Sequence, residues 1–227
     1  MTLKKAMILA AGKGERMRPL TLTTPKPLVE VNGKALIVYH LEKLAAAGFS
    51  DVVINISWLG EKIEAALGNG KQFGLNIIYS REPEPLETAG AIRFARELLG
   101  EGAFALVNAD VYSELDYSVF QQCELGEQCW GQLFFVANPE HKKNGDFALS
   151  DSGLVTEKGA HSGLTFSGLS VLQPAMVYNF PSNEEHLALR KIFEWAITQE
   201  KLRGERFEGL WSDVGTLARL KELERVA

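Results

Sequence analysis

Short apolar runs alternate with helically spaced apolar residues along the first half of the chain. Residues 6–10 and 104–107 are apolar throughout, as expected for central strands that are covered on both faces of a sheet. Between them, Ile37, Leu41 and Leu44 recur at helical spacing, and a glycine four residues later marks the end of that helix. The alternation predicts consecutive β-α-β units, and therefore an α/β fold built on a doubly wound, mostly parallel sheet.

The pattern changes after Asp110, where apolar runs follow one another without long helices between them. This change predicts a mixed or antiparallel extension of the sheet. Strands are predicted at 52–56, 75–79, 132–137, 147–149, 154–156, 165–172 and 210–213. Helices are predicted at 61–67 and 185–199, and after two N-caps, Thr88 and Thr216. His40 and His186 are expected on helix surfaces, and the four tryptophans in the core.

Composition and charge narrow the class of protein. The 227 residues suffice for one domain with its own core, and no linker divides them. Asp and Glu number 29 against 24 Lys and Arg, which argues against a nucleic-acid partner because its phosphates need a basic face. No apolar run reaches the ~18 residues of a membrane span. Cys123 and Cys129 lack zinc or disulfide spacing, and we expect reduced thiols in a cytoplasmic protein.

A basic glycine loop follows the first predicted strand. Gly12 and Gly14 allow positive φ and the close approach of a ligand, and successive amides in that shape bind anions. Three basic residues surround these glycines. The loop is not a P-loop, which needs four residues between its glycines and then Lys-Ser/Thr. It is not a dinucleotide fingerprint either, because Met17 replaces the third glycine and Pro19 interrupts a following helix.

The segment LAAGKGERMRPLTLTTPKPLVEV, residues 9–31, resembles the signature of the sugar-1-phosphate nucleotidyltransferases. Later segments match as well, so the resemblance extends over nearly the whole chain. It implies a Rossmann-like fold with a mixed, mostly parallel sheet flanked by helices. It also implies one domain over 1–227, with a nucleotide-binding part at about 1–112 and a sugar-binding part at about 113–227. The implied activity is Mg²⁺-dependent nucleotidyl transfer to a sugar phosphate, with Mn²⁺ as a possible substitute.

This chemistry needs positioning and cancellation of charge rather than a general base. A phosphate monoester has a second pKa near ~6, so the attacking oxygen is already ionised at pH 7. The resemblance assigns the catalytic roles to Arg16, which would clamp the triphosphate, and to Lys26, which would reach the α-phosphate from between two prolines. The other nucleotide-binding candidates are Ala11, Gly12, Lys13, Gly14, Glu15, Glu87, Thr88, Gly90 and Asn108.

Two carboxylates match the metal-binding positions of the family. Asp110 follows an apolar strand, and ligands of open α/β sheets bind beyond the carboxyl ends of strands. Asp213 lies between a short strand and a helix. The resemblance implies that both hold the Mg²⁺ ion. On the acceptor side, it makes Asp146, Glu157 and Ser167 candidates for sugar-phosphate binding.

Glu87 departs from the family pattern, in which glycine is more frequent at this position. Some uridylyltransferases of the family share the departure, and residues 138–147 resemble the same subgroup. We therefore expect UTP as donor and N-acetylmuramic acid 1-phosphate as acceptor, giving a UDP-sugar for cell-wall recycling. The lactyl carboxylate of that acceptor calls for a cation. His141, Lys142 and Lys143 are candidates, and a solvated turn is the alternative explanation.

Other functions stay open at this stage. One is thymidylyl or uridylyl transfer to glucose 1-phosphate, and another is guanylyl transfer to mannose 1-phosphate. A hypothesis from a different class is a non-catalytic subunit that senses nucleotides. Such a subunit is expected to lose the cations and carboxylates, whereas Arg16, Lys26, Asp110 and Asp213 are all present. We expect no nucleic-acid or membrane partner, and the sequence does not indicate an oligomeric state.

Overall fold

A seven-stranded sheet forms the centre of the structure, a computed structural model that describes residues 2–159 and 163–227. The strands are β1 (Lys5–Leu9), β2 (Glu30–Val31), β3 (Lys34–Ala35), β4 (Asp51–Ile56), β5 (Asn76–Arg81), β6 (Phe104–Asn108), β7 (Val111–Ser113), β8 (Gly131–Val136), β9 (Ala148–Leu149), β10 (Val155–Thr156), β11 (Thr165–Leu172), β12 (Leu202–Arg206) and β13 (Trp211–Asp213). The helices are α1 (Leu36–Ala46), α2 (Gly60–Leu67), α3 (Glu87–Phe94), α4 (Arg96–Leu99), α5 (Pro174–Tyr178), α6 (Leu189–Thr198) and α7 (Leu217–Leu223).

The sheet is mixed and mostly parallel, which confirms the predicted fold class. Its strand order is β12-β8-β11-β6-β1-β4-β5. β1 pairs in parallel with β4 and with β6, so that Ile8 lies beside both Ile54 and Val107. β5 and β12 also pair in parallel, with β4 and β8, whereas β11 runs antiparallel to β6 and β8.

Alternating side chains of β1 face two separate hydrophobic cores. Ala6 and Ile8 lie in the core that α1 and α2 cover, together with Leu41. Met7 lies in the core on the opposite face, beneath α3 and α6. All of these side chains are fully buried, and each such large side chain stabilises the fold by roughly 1.5–3 kcal/mol. The part of a strand that is buried on both faces is expected to be apolar, as residues 6–8 of β1 are.

Most predicted strands are confirmed within two residues, but two helix starts are wrong. The helix expected at 185–199 begins at Leu189. The backbone before it pairs with α3 instead. The Leu187 carbonyl accepts hydrogen bonds from the Ala89 and Gly90 amides of α3, at 2.8 and 3.0 Å. Thr88 is not the N-cap of α3, which is Leu86. Thr88 Oγ1 accepts a hydrogen bond from the Leu189 amide at 2.7 Å and so joins α3 to α6.

Two burial assignments made from the sequence are also wrong, namely His40 on the surface and Trp58 in the core. His40 is 2% exposed, and its Nδ1 lies 2.7 Å from the Tyr117 hydroxyl. Burial lowers the pKa of His40 to about 4, so the imidazole is neutral at pH 7. Trp58 is 38% exposed and donates from Nε1 to the Thr21 carbonyl, whereas the other three tryptophans pack against the cores. Thr216 is the N-cap of α7, as predicted, and accepts from the Arg219 amide.

The sheet combines strands from both parts of the chain that the resemblance separates. β1, β4, β5 and β6 come from the first part, and β8, β11 and β12 from the second. The assignment of one domain to 1–227 stays a prediction. In the described ranges, 2–159 and 163–227, no helix has the length and apolar character needed to span a membrane.

Candidate active site

A cavity of about 460 Å³ opens at the carboxyl ends of β1 and β6. This position is where open α/β sheets bind ligands. Most of the predicted nucleotide-binding residues line it, namely Ala11, Gly12, Gly14, Glu15, Arg16, Lys26, Glu87, Thr88 and Asn108. Two predicted residues do not. The Lys13 residue is exposed outside the cavity, and Gly90 is buried behind it, where a Cβ atom would lie 2.3 Å from the Glu185 carbonyl oxygen.

The glycine loop owes its shape to Gly14 rather than to both glycines. Gly14 has a φ of 64°, and its carbonyl accepts from the Thr21 hydroxyl at 2.8 Å and from the Met17 amide at 2.9 Å. A Cβ atom there would lie 2.8 Å from Thr21 Cγ2, so a larger residue would displace the loop. Gly12 is not among the residues with positive φ, and the predicted conformation is wrong at that position. It has open space around it on the cavity wall.

A buried polar relay fixes the cavity wall opposite the glycine loop. Asn55, at the end of β4, accepts from the Ala10 amide at 2.8 Å and donates to Glu82 at 2.8 Å. Glu82 also accepts from the Leu86 amide at 3.0 Å, just before α3. Burial raises the pKa of the Glu82 carboxyl, and these two hydrogen bonds oppose the rise. The relay was missed from the sequence, although a polar residue inside the apolar strand DVVINI is a signal for a buried partner.

Glu87 occupies a backbone conformation that favours glycine. Its φ is 64°, in the left-handed region, and it is the first residue of α3 on the cavity wall. The local backbone therefore has the shape that a glycine at this position would adopt. The departure from the family pattern changes the side chain and adds strain, because a Cβ atom is disfavoured in this region.

Replacing Glu87 with glycine is expected to raise the free energy of unfolding by about 1 kcal/mol, because the left-handed strain disappears. Urea denaturation measures the change. Glu61→Gly is the matched control, since Glu61 is an exposed residue in the first turn of α2 with ordinary φ. The free energy of unfolding of Glu61→Gly should instead fall by about 0.5–1 kcal/mol. If Glu87→Gly is destabilised as well, the Glu87 side chain supports the wall and the strain argument is wrong.

A second cavity, of about 310 Å³, adjoins the first and shares Thr88, Asn108 and Asp110 with it. Five further predicted residues line this second cavity, namely His141, Lys142, Asp146, Ser167 and Asp213. The Ser167 hydroxyl is used within the fold, because it donates to the Phe134 carbonyl at 2.7 Å. Glu157 is exposed and is not part of the lining.

The two candidate metal ligands lie side by side because of the β7–β13 ladder. Asp213 is paired with Val111 in that ladder, and the Val214 amide donates to the Asp110 carbonyl at 2.8 Å. The Asp110 carboxylate accepts from buried Lys26, and Asp213 accepts from Arg219. Carboxylate oxygens are the protein ligands that Mg²⁺ prefers, so this pair fits a divalent ion. In the described part of the chain no group of three or more His, Cys, Asp or Glu could hold a metal ion.

Arg219, which sequence reasoning missed, contacts the candidate metal ligand Asp213. Its Nη1 donates to both oxygens of Asp213 and lies 2.7 Å from His141 Nε2. A Cβ atom on Gly215 would lie 2.3 Å from Arg219 Nη2 and 3.0 Å from Arg16 Nη2. Both guanidinium groups therefore lie close to Gly215, which lines the first cavity. The only sequence signal is the position of Arg219 one turn after the Thr216 cap, which is unspecific.

Comparison with known proteins agrees with this geometry. Residues 5–226 match the family model described as nucleotidyl transferase. The chain is 47% identical over 227 residues to the N-acetylmuramate alpha-1-phosphate uridylyltransferase of Neisseria meningitidis serogroup B, with 98% of each protein covered. A solved structure assigned as a glucose-1-phosphate thymidylyltransferase from Bacillus anthracis has a TM-score of 0.87 at 20% identity, covering 99% of this chain and 94% of that one. That likeness concerns the fold.

The chain belongs to the nucleotidyl transferase family, whose members generally use a divalent metal ion. Within that family it falls among the sugar-1-phosphate nucleotidyltransferases, as the resemblance of residues 9–31 predicted. More distant relatives include the glucose-1-phosphate thymidylyltransferase of Streptomyces griseus, at 33% identity over 98% of this chain. The mannose-1-phosphate guanyltransferase of Schizosaccharomyces pombe is 31% identical over 93% of this chain. The chain spans 65% and 61% of the lengths of these two relatives.

Proposed function

We propose that this enzyme transfers a uridylyl group from UTP to N-acetylmuramic acid 1-phosphate and releases pyrophosphate. The observation that carries the proposal is the wall shared by the two cavities. A nucleotide in the first cavity and an anionic sugar phosphate in the second would meet at Asn108 and Asp110. The 47% identical Neisseria relative, which bears the name of this activity, supports the choice of donor and acceptor.

The chemical step needs no general base from the protein. An ionised oxygen of the sugar phosphate attacks the α-phosphorus, and a new P–O bond forms as the bond to the β-phosphate breaks. The electron pair of the broken bond stays on the pyrophosphate. Arg16 holds the triphosphate, and Lys26 places its charge beside the α-phosphate, where negative charge increases in the transition state. The roles of both residues are part of the proposal.

Asp110 and Asp213 are the proposed ligands of the metal ion, with Mg²⁺ as the natural ion and Mn²⁺ as its substitute. Mg²⁺ keeps several waters and is commonly bound through one or two carboxylates together with substrate phosphates. A pair of aspartates is therefore a sufficient protein contribution. The bound ion would neutralise charge on the phosphoryl group that is transferred. Lys26 and Arg219 neutralise the same carboxylates in the structure described here.

UTP is expected to be the best donor, with dTTP weaker and purine nucleotides poor. The cavity wall beside α3 presents Pro85 and Leu86, an apolar surface against which the face of a pyrimidine ring could pack. Four nucleotides tested against the 1-phosphates of N-acetylmuramic acid, N-acetylglucosamine, glucose and mannose measure this, with pyrophosphate release as the readout. Equal or faster turnover with GTP or ATP would overturn the choice of donor. A preference for glucose 1-phosphate with dTTP, or mannose 1-phosphate with GTP, would favour the functions of the more distant relatives.

We also propose that the enzyme acts in the cytoplasm as one domain. The nucleotide donor is an intracellular metabolite, and Cys123 and Cys129 are free thiols. Burial raises the pKa of Cys123 to about 12, so this thiol is protonated and unreactive at pH 7. The shared sheet supports the assignment of a single domain.

A further inference from the structure

Two cations share one carboxylate at the second cavity. Lys142 Nζ donates to Asp146 Oδ2 at 2.5 Å, and Arg190 Nη1 lies 3.5 Å from Asp146 Oδ1. The Asp146 side chain is only 12% exposed and also accepts from the Phe166 amide at 3.0 Å. All three charged residues line the cavity. Lys142 comes from the segment before β9 and Arg190 from α6, so two separate elements bring the cations together.

Asp146 is contacted by two basic side chains, Lys142 and Arg190. Asp110 is matched by Lys26, and Asp213 by Arg219. At Asp146, however, two cations meet one carboxylate that already has a backbone donor. Outside the cavity, Arg190 uses its Nε to bond Glu194 at 2.8 Å, which leaves most of its terminal N–H groups available.

Both cations are held in place but remain accessible. The Arg190 guanidinium carbon lies 5.1 Å from the centroid of the Phe147 ring, a cation–π contact that helps to hold the side chain at the cavity. The side chains of Lys142 and Arg190 are 42% and 53% exposed. Lys142 makes no other side-chain hydrogen bond within the ranges 2–159 and 163–227. A planar guanidinium next to an ammonium group is suited to a carboxylate, which can accept from both.

We propose that Lys142 and Arg190 together bind the carboxylate of the acceptor sugar phosphate, and that this pair makes the enzyme prefer an acceptor with a carboxylate. The inference rests on the proposed function and adds the residue that selects the acceptor. N-acetylmuramic acid 1-phosphate differs from N-acetylglucosamine 1-phosphate by a lactyl ether with one carboxylate. Lys143, the neighbour suggested by the sequence, does not line the cavity and is exposed. Arg190 takes its place.

The test compares the two acceptors in the intact enzyme with UTP as donor. Arg190→Gln and Lys142→Gln should each lower kcat/KM for N-acetylmuramic acid 1-phosphate about 10- to 100-fold, since each removes one charge-assisted hydrogen bond. For N-acetylglucosamine 1-phosphate the change should stay within about threefold. Arg190→Lys should fall between wild type and Arg190→Gln for the first acceptor. Calorimetric titration of the metal-free enzyme with each acceptor should show the same selectivity in Kd.

Lys191→Gln is the matched control, because Lys191 is the next residue on α6 and its exposed side chain pairs with Glu184. It should behave as wild type with both acceptors. If Arg190→Gln and Lys142→Gln lower kcat/KM equally for both acceptors, the pair binds the phosphate, and the proposal is overturned. The proposal is also overturned if Lys143→Gln lowers kcat/KM for N-acetylmuramic acid 1-phosphate alone while Arg190→Gln leaves it unchanged. Because two separate elements supply the cations, Lys142→Gln still decides the matter if Arg190→Gln has a lowered Tm.

Failure of this inference is distinguishable from failure of the proposed function. If wild type transfers uridylyl groups to N-acetylmuramic acid 1-phosphate and the variants lose no selectivity, only the carboxylate site is wrong. If wild type shows no uridylyl transfer to this acceptor in the first place, the proposed function itself fails.

Discussion

Replacing Asp110 or Asp213 with asparagine is expected to lower turnover about a thousandfold or more, while the fold is kept. An amide removes the negative charge and one of the two metal-binding oxygens. A metal ion on the transferring phosphoryl group supplies several kcal/mol of transition-state stabilisation, and each 1.36 kcal/mol corresponds to a factor of ten. Both side chains are partly exposed, at 36% and 26%, so the substitution creates no buried cavity. Pyrophosphate release at saturating UTP measures the loss.

Two further measurements separate an effect on metal binding from an effect on folding. Asp151→Asn is the matched control, because Asp151 is an exposed residue in the turn between β9 and β10, and its turnover should be unchanged. Titration of Mn²⁺ in the presence of UTP should show weaker binding in the Asp110 and Asp213 variants, with Tm close to wild type. A variant that keeps near-normal turnover in Mg²⁺ would remove that aspartate from the metal site.

Lys26→Ala is expected to lower kcat about a hundredfold and to raise the KM for UTP much less. Lys26 is buried, lies between Pro25 and Pro27, and already contacts Asp110. These contacts hold its ammonium group where the proposed mechanism places developing charge. An interaction that is stronger in the transition state than in the ground state affects kcat rather than KM.

Steady-state kinetics with varied UTP separates the two parameters. Lys26→Met keeps most of the side-chain volume and should show the same loss in kcat, which excludes a packing effect. Lys71→Ala serves as the control, because Lys71 is exposed and lies beyond α2, outside both cavities. A tenfold rise in KM with kcat unchanged would show that Lys26 binds substrate and transition state equally, contrary to the proposed role.

The central strands could be predicted because burial on both faces leaves a plain sequence signal. Residues 6–9 of β1 and 104–107 of β6 are apolar, and the structure has strands where these runs occur. β12 could not be predicted in this way. It is an edge strand with the sequence LRGER, and only Leu202 is buried. The start of α6 was also unpredictable, because the preceding backbone bonds to α3 instead of continuing a helix.

The candidate site divides in the same way. The residues from Gly12 to Lys26 follow one strand and form a continuous motif, so their common position was predictable. Arg219, Arg190 and the Asn55–Glu82 relay come from separate segments that meet only in the folded chain. An arginine on a helix resembles an ordinary surface residue in the sequence. What distinguishes such an arginine from a surface residue is the set of charged groups around it, and these groups come together only in the tertiary structure.

The position of β1 between β6 and β4 in the sheet has a consequence for biosynthesis. β1 is synthesised before both of its neighbours, which start at Asp51 and Phe104. One of its edges therefore stays unpaired until β6 has been made. Because closing such long loops precedes the gain from pairing, the sheet assembles late and slowly relative to synthesis. An apolar strand with an open edge is prone to aggregate during this interval, so we expect the nascent chain to depend on chaperones more than the finished enzyme does.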